Sequence, residues 1–217
     1  MAFYVHMATR GSKTTDSPRN ALNYIAHGHD DRRVSLEGFG KLASERDERQ
    51  LADRFEESCQ PYHDPRARLG YKSITLTLPK EVSLYADKHR DQATAAIAAA
   101  VPYALDRAFS GFHYSAIAAI HNRNRDGQVH YYAHVLVGKF AQKVDTGRTF
   151  SLNGAAAGNS GRARLKELKL GWQEGIEKEF RQRLNLGIEQ ATPHGPVALV
   201  LPDGTRLEPL PQRDQLR

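Results

Sequence analysis

Cysteine is nearly absent from the 217-residue sequence, which contains only Cys59. A single cysteine can form neither an intrachain disulfide framework nor a cysteine-based zinc site. Long apolar runs are also missing, since no stretch approaches the roughly 20 apolar residues that a membrane-spanning helix needs. Residues 1–6 show no basic region followed by an apolar core, so we expect no signal peptide. These absences predict a cytoplasmic protein with no membrane span.

Acidic residues are in the minority, with 25 Asp and Glu against 31 Lys and Arg, for a formal net charge of +6. A basic domain attracts polyanions, and nucleic acid is the first candidate. The sequence has no Walker-type glycine-rich loop and no dinucleotide fingerprint, which disfavours nucleotide-dependent enzymes. Charge alone does not establish nucleic-acid binding, so the argument depends on motifs.

The first third of the chain predicts a strand followed by two helices. Apolar residues alternate over 3–7, as in a strand with one buried face. Asp16-Ser17-Pro18 combines a capping side chain with an early proline and predicts the start of a helix that carries Tyr24 and ends at Gly28. Ser44 is the expected cap of the second helix.

Strands predominate in the middle of the chain. Alternation over 73–78 predicts a half-buried strand, and an alanine-rich helix is expected from about 82 to 100, where Pro102 breaks or kinks it. An amphipathic helix is expected from Leu165 to Leu184, with Gly187 as its C-terminal cap. Further strands are expected over 111–121, 128–140 and 147–152.

This alternation of elements predicts an α+β fold, with a central antiparallel or mixed sheet and helices packed on it. We expect one domain over residues 1–190. Residues 191–217 contain five prolines and a hairpin signal at 202–204, so we expect a proline-rich extension or linker there.

The most informative segment is a predicted hairpin around Asp126-Gly127, a dipeptide typical of a two-residue type I′ turn. With Arg125 opposite Gln128, the predicted register places Arg123 opposite His130. The same register places His121 opposite Tyr132 and Ala119 opposite His134.

Three histidines then lie on one face of this hairpin. His130, Tyr132 and His134 alternate with apolar residues, and His121 lies across from them. Opposite Cβ atoms are roughly 5 Å apart and diagonal ones roughly 7 Å apart, so the three imidazoles can converge on one divalent ion. The alternative is a set of partly exposed sheet histidines with no ligand.

Three segments of the chain resemble the relaxases of the HUH endonuclease superfamily. Residues 21–25 resemble their tyrosine motif, residues 76–84 resemble a segment common in one relaxase branch, and residues 121–137 resemble their three-histidine motif. The segments occur in the family's order, and the resemblance spans roughly residues 3–185. It implies a relaxase-like palm of the ferredoxin or split βαβ type.

The resemblance also implies a function. A divalent metal ion (manganese, magnesium or zinc) on His121, His130 and His134 would polarise a scissile phosphate of single-stranded DNA. Tyr24 would attack this phosphate and become joined to the 5′ phosphate, and the released 3′ hydroxyl could reverse the step. Expected partners are an origin of transfer and accessory relaxosome proteins, and His27 is a candidate helper base. Expected phosphate contacts come from Lys13, Arg19, Arg32, Arg33, Arg123 and Arg125.

Two departures from the family pattern leave alternatives open. The family separates two histidines by a single residue, whereas His130 and His134 are four positions apart and Tyr132 lies between them. Either a β-bulge brings His130 in, or Tyr132 replaces a ligand. Arg123 also stands where some relaxases have an acidic residue.

Other functions remain possible on the sequence alone. A rolling-circle replication initiator or a single-strand transposase would share the chemistry. A nucleic-acid-binding module that kept the fold but lost efficient catalysis is the alternative of a different class. An ordinary metallohydrolase ranks last, because the histidine face of the hairpin lacks a water-activating carboxylate except at its tip.

Overall fold

A five-stranded antiparallel sheet forms the centre of the computed structural model, which describes residues 3–11, 17–27, 34–60, 70–152, 161–190 and 197–208. Its strand order is β1-β3-β6-β5-β2. The five strands are β1 (Tyr4–Gly11), β2 (Leu36–Gly40), β3 (Gly70–Thr77), β5 (Ser115–Arg123) and β6 (Val129–Gly138).

Helices and two small sheets surround this centre. The helices are α1 (Pro18–His27), α2 (Glu48–Ser58), α3 (Lys80–Ala86), α4 (Arg90–Ala108) and α5 (Gly161–Leu184), with a 3₁₀ turn at Asp87–His89. One small sheet contains β4 (Phe112–His113), β7 (Phe140–Lys143) and β8 (Thr149–Ser151), and the other contains β9 (Gly187–Gln190), β10 (Val197–Val200) and β11 (Arg206–Leu207). The predicted α+β class is confirmed. In the described ranges, no helix is long and apolar enough to cross a bilayer.

The two faces of the central sheet are covered differently. Ile74, Leu76 and Val135 belong to the large core beneath α3, α4 and α5, which we call the covered face. The intervening residues point to the opposite face, where α1 and α2 bury a smaller cluster that includes Leu136 and Ile117. We call this second side the open face, because the helices of the described ranges cover only the part of it that contains that cluster.

Helix α4 does not end near residue 100 as predicted, and Pro102 does not break it. It runs through Pro102 to Ala108, and the interruption lies earlier, at the 3₁₀ turn. Close packing against α5 explains how the helix tolerates the proline. A Cβ at Gly171 would lie 2.3 Å from the Tyr103 carbonyl oxygen, so the two helices approach closely at this glycine. Buried α4 side chains such as Val101 and Leu105 then stabilise the helix on both sides of the proline.

Two predicted caps are wrong. Helix α2 is capped by Asp47, whose carboxylate accepts a hydrogen bond from the Gln50 amide, and not by Ser44. Helix α5 ends at Leu184, and Asn185 adopts the left-handed conformation (φ 51°) that the sequence assigned to Gly187. Asn tolerates this conformation better than most residues, and Gly187 begins β9 instead.

The proline-rich end of the chain contributes to the core. The predicted hairpin at 202–204 is confirmed, since β10 and β11 pair antiparallel and Gly204 has a φ of 81°. Val197 and Leu199 of β10 are buried in the covered-face core. The proposed domain boundary at residue 190 stays a prediction.

Candidate nucleic-acid cleavage site

The histidine hairpin turns through a loop one residue longer than predicted. The Asn124 amide donates to the Gln128 carbonyl, so residues 125–127 form a three-residue loop. Only Gly127 of that loop has a positive φ, 73°, which rules out a type I′ turn because that turn also needs a positive φ at Asp126. The Asn124 side chain closes the loop by accepting from the Asp126 and Gln128 amides.

A β-bulge in β6 restores the predicted pairing. Arg123 pairs with Val129, not with His130 as expected, and the register shifts before His121 pairs with Tyr132. Strand β6 therefore has one more residue than β5 across the bulge, in the segment that contains His130. Beyond it, the predicted partners His121–Tyr132 and Ala119–His134 are confirmed.

The pairing aligns polar residues in two rows across the open face. One row runs Tyr4, Thr77, Tyr132, His121, and the next runs His6, Thr75, His134, Ala119. Buried Tyr131, Ala133 and Val135 alternate with these residues on β6 and fix the opposite parity in the core. Since the core holds Tyr131 and its neighbours in place, the histidine face cannot rotate away from the open side.

Helix α1 places Tyr24 beside these rows. Leu22 and Ile25 are buried against the open face, and Tyr24 lies at the edge of this contact with 55% of its surface exposed. Its ring meets the His134 ring edge-on, with 6.0 Å between centroids. Together they border a cavity of about 280 Å³, the histidine pocket, whose lining includes Tyr24, His121, Arg125, His130, Tyr132 and His134.

The three histidines differ in their surroundings. His121 is 5% exposed and stacks on Tyr132 with 4.9 Å between centroids. The Nε2 atom of His134 lies 2.9 Å from the Ser73 hydroxyl oxygen, a hydrogen bond that orients the ring. Burial lowers the pKa of His130, which favours its neutral, lone-pair-bearing form.

These histidines line one pocket but do not form a metal-ligand set in this arrangement. Within the described residues, no three His, Cys, Asp or Glu side chains gather closely enough to hold an ion. The Tyr132 ring lies within 4.9 Å of the His121 ring and 5.8 Å of the His130 ring, measured between centroids. The present side-chain positions therefore do not fit a three-histidine site.

The basic residues expected to contact DNA separate into three groups. Arg125 lines the histidine pocket. Arg123 forms an ion pair with Asp87 of the 3₁₀ turn, with an Nη1–Oδ1 distance of 3.0 Å, and Arg19 pairs with Asp53 of α2. Lys13, Arg32 and Arg33 lie outside the described residues.

His27 lies at the end of α1, where its Nδ1–H donates to the Asn23 carbonyl at 2.8 Å. His27 is not among the residues that line the histidine pocket, nor does it line a second cavity that adjoins this pocket. We therefore do not propose His27 as the base that accepts the Tyr24 proton.

A second cavity that the sequence analysis missed adjoins the first. It measures about 440 Å³ and lies between α1 and strands β1, β3 and β6, and we call it the α1 cavity. Tyr24, Thr75 and His134 line both cavities. The alternation of His6 with buried Val5 on β1 was the available signal, but His6 becomes informative only when β1 is known to pair with β3.

The fold of this chain is similar to that of solved structures of a conjugative relaxase. The conjugative relaxase TrwC in complex with oriT DNA, in its metal-bound structure, matches with a TM-score of 0.58 and 14% identity, over 94% of this chain and 75% of that chain. TrwC complexed with a 27-mer DNA comprising the recognition hairpin and the cleavage site matches with a TM-score of 0.56 and 14% identity, over 94% and 74%. No family model and no curated protein matches at the sequence level.

An identity of 14% supports a conclusion about the fold and not about the reaction. The likeness covers 94% of this chain. The resemblance stated from the motifs is thus confirmed for the architecture: this chain has the fold of the conjugative relaxases.

Proposed function

We propose that this protein nicks single-stranded DNA and transfers the strand through Tyr24. The observation that carries the proposal is the position of an exposed phenol in ring contact with His134, at the border of a pocket lined by three imidazoles and Arg125. Tyr24 is 55% exposed, whereas core tyrosines such as Tyr131 are inaccessible. The relaxase fold and the net positive charge support a DNA substrate.

The proposed reaction is a transesterification. The Tyr24 oxygen attacks the scissile phosphorus, an oxygen–phosphorus bond forms, and the bond to the 3′ oxygen breaks. The phenolic proton passes to a base, for which the neutral imidazole of His134 is the candidate in ring contact with Tyr24. The leaving 3′ oxygen takes up a proton from water, and the resulting 3′ hydroxyl can later attack the phosphotyrosine and restore the strand.

A divalent metal ion (manganese, magnesium or zinc) on His121, His130 and His134 is a separate proposal. Its support is the shared pocket and the metal-bound TrwC structure. Because the described imidazoles do not gather into a ligand set, metal binding requires side chains of the pocket to shift, or Tyr132, which neighbours two of the rings, to serve as a ligand itself. No step proposed above depends on the metal.

Arg125 is the described cation best placed for a phosphate, because it lines the histidine pocket. We retain Lys13, Arg32 and Arg33, which flank the α1 segment in the sequence, as proposed phosphate contacts. We further propose that the substrate is an origin of transfer, since the similar TrwC structures are complexes with oriT DNA. Accessory relaxosome proteins belong to the same proposal.

A second candidate function is a relaxase-fold DNA-binding module without cleavage. The observation that favours it is that His121, His130 and His134 line one pocket without gathering closely enough to hold an ion. A binding module would hold single strands but form no covalent adduct.

A covalent-adduct assay distinguishes the two functions. Labelled single strands with a randomised central region are incubated with the protein, with and without manganese, and then separated under denaturing conditions. We expect the wild type to form an adduct, and Tyr24→Phe to form none while binding the same DNA.

Tyr4→Phe is the matched control, because Tyr4 is 59% exposed on the same face and we expect its variant to keep the adduct. Peptide mapping of the adduct identifies the attached tyrosine. An adduct that persists in Tyr24→Phe would exclude Tyr24 as the nucleophile. Binding with no adduct in the wild type would favour the binding module.

A further inference from the structure

Helix α5 begins with a buried arginine on the covered face of the central sheet. Arg164 lies in the first turn of α5, and only 3% of its surface is exposed. Lys72 of β3 is 5% exposed and has the same strand parity as Ile74 and Leu76, so it also belongs to the covered face. A buried charge is costly unless an opposite charge and hydrogen bonds compensate it.

The contacts of Arg164 leave part of its guanidinium unsatisfied. Its Nη1 donates to the Leu152 carbonyl at 2.6 Å, and its guanidinium carbon lies 5.2 Å from the centroid of the Phe109 ring. Its Nε is buried and has no hydrogen-bond partner among the described residues. A carbonyl and an aromatic ring carry no formal negative charge, so neither neutralises the guanidinium.

Lys72 adds a second positive charge at the same place. Burial and, next, the neighbouring charge of Arg164 lower the pKa of Lys72, so the two cations are close enough to repel each other. The first turn of α5 contains no acidic residue, and residues 153–160, which precede it, contain no Asp or Glu. The amino end of this 24-residue helix contributes further partial positive charge.

The burial of both side chains restricts the kind of anion that can compensate them. The histidine pocket and the α1 cavity lie on the open face, whereas Arg164 and Lys72 lie on the covered face, almost out of reach of solvent. A DNA strand needs an accessible surface for its backbone. A small oxyanion can be enclosed and accepts several charge-assisted hydrogen bonds at once.

We propose that a phosphate-sized oxyanion binds between Arg164 and Lys72 and holds the start of α5 against β3. The anion would accept hydrogen bonds from Arg164 Nε and Lys72 Nζ. Because α5 also carries the buried Trp172, fixing its first turn stabilises the covered face of the sheet. This site is independent of the proposed cleavage of DNA.

The first test measures anion binding by the wild type. The protein is dialysed into a buffer without phosphate or sulfate and titrated with sodium phosphate in a calorimeter, with sodium chloride at equal ionic strength as the reference. We expect one phosphate per chain. At a phosphate concentration tenfold above the dissociation constant, the melting temperature should rise by about 3–6 °C. A response to phosphate no larger than the response to chloride would overturn the proposal.

The second test removes one of the two charges. Lys72→Met keeps most of the side-chain volume, and without phosphate it should melt at or above the wild-type temperature, because the repulsion from Arg164 is gone. In saturating phosphate it should melt below the wild type, because its phosphate affinity should be at least about tenfold lower. If Lys72 acted by packing alone, the variant would melt below the wild type by the same amount in both buffers, and the proposal would fail.

Arg164→Lys tests the guanidinium while the charge stays in place. Lysine lacks Nε–H and the planar fork, so phosphate affinity should fall about tenfold or more. Arg162→Gln is the matched control, because Arg162 lies in the same turn but is exposed, and it should keep the wild-type affinity. Equal phosphate affinities for Arg164→Lys and Arg162→Gln would overturn the assignment.

The last test distinguishes this site from the proposed DNA site, which could also bind free phosphate. Saturating oligo-dT should not displace phosphate from the wild type, and Arg125→Gln, in the histidine pocket, should bind phosphate as the wild type does. Displacement by oligo-dT, or loss of phosphate binding in Arg125→Gln, would locate the ion in the histidine pocket and overturn the buried site.

Discussion

The two faces of strand β6 differ in composition although they share one backbone. Tyr131, Ala133 and Val135 are fully buried against the helices of the covered face, whereas Tyr132 and His134 border cavities on the open face. The covered face provides the apolar burial that stabilises the fold. The open face leaves polar rings near solvent. The comparison teaches that stability and the proposed chemistry depend on alternate residues of one strand, so they can be disturbed separately.

The largest effect should come from the covered face. Trp172 of α5 is fully buried and its indole donates to the Thr77 carbonyl at 3.0 Å. Trp172→Ala should lower the free energy of unfolding by about 3–5 kcal/mol, because it leaves a cavity and an unpaired carbonyl. Denaturant unfolding measures the change. Tyr24→Ala should lower the free energy of unfolding by less than about 1 kcal/mol, since Tyr24 is largely exposed. Equal losses of stability in Trp172→Ala and Tyr24→Ala would contradict the proposed difference between the two faces.

The next effect concerns metal binding on the open face. If His121, His130 and His134 hold a divalent ion, His134→Ala should weaken manganese or zinc binding by about 10- to 100-fold or more. Calorimetry on the wild type and the variant measures this change. His113→Ala, an exposed histidine on β4, is the control and should leave the affinity unchanged. Equal affinities for His134→Ala and the wild type would exclude the site.

The hairpin shows how a sequence can predict a site while missing its construction. Strand alternation and the Asp126-Gly127 signal predicted the His121–Tyr132 and Ala119–His134 pairs, which the structure contains. The loop is one residue longer than predicted, and the β6 bulge shifts the register back by one. Because the extra loop residue and the bulge shift the register in opposite directions, the predicted pairs are correct although neither feature was predicted. Neither feature has a residue signature strong enough to separate it from a two-residue turn.

Contacts between distant segments were beyond sequence reasoning. The phosphate contact of Arg123 stays a prediction, but nothing in the sequence indicated its ion pair with Asp87, which is 36 positions away in the chain. The 3₁₀ turn that presents Asp87 was itself missed, since an uninterrupted alanine-rich helix satisfied the local pattern. Strand β2 was missed as well, because two glycines in five residues weaken its alternation.

Arg123 and Arg125 allow the comparison to be tested with two residues from one hairpin. Arg125 lines the histidine pocket, whereas Arg123 is tied to the covered side by Asp87. Arg125→Gln should weaken binding to oligo-dT. It should also make the negative slope of log affinity against log salt shallower by about 0.7, the value for one phosphate contact on a single strand. Arg123→Gln should leave the slope unchanged. Fluorescence anisotropy over a salt series measures both slopes. Identical slopes for the two variants would contradict the proposal that Arg125 contacts phosphate and Arg123 does not.

The smallest effect should be the pH dependence that Asp87 contributes to stability. Hydrogen bonding from Arg123 and Arg90 holds the pKa of the Asp87 carboxyl below its usual value, with Arg123 making the largest contribution. A carboxyl with a lowered pKa in the folded state stabilises the protein above its unfolded pKa of about 3.9, and this stabilisation is lost as the pH falls through the folded-state pKa. Asp87→Asn removes the charge and keeps the shape, so it should cost about 1 kcal/mol or less near pH 7, because the Asp87 and Arg123 side chains are 21% and 24% exposed.

That difference between wild type and Asp87→Asn should shrink as the pH falls below about 4. Denaturant unfolding of both proteins at a series of pH values measures it. Arg123→Gln should show the same pH-dependent loss, since it removes the dominant partner of the same carboxylate. A cost that stays constant from neutral to acidic pH would mean that Asp87 acts through packing and not through its charge.

DNA cleavage should be unchanged in both variants, because this ion pair lies outside both cavities. A strong loss of cleavage with normal stability would place Arg123 among the DNA contacts after all and remove the distinction between the two faces at the hairpin tip.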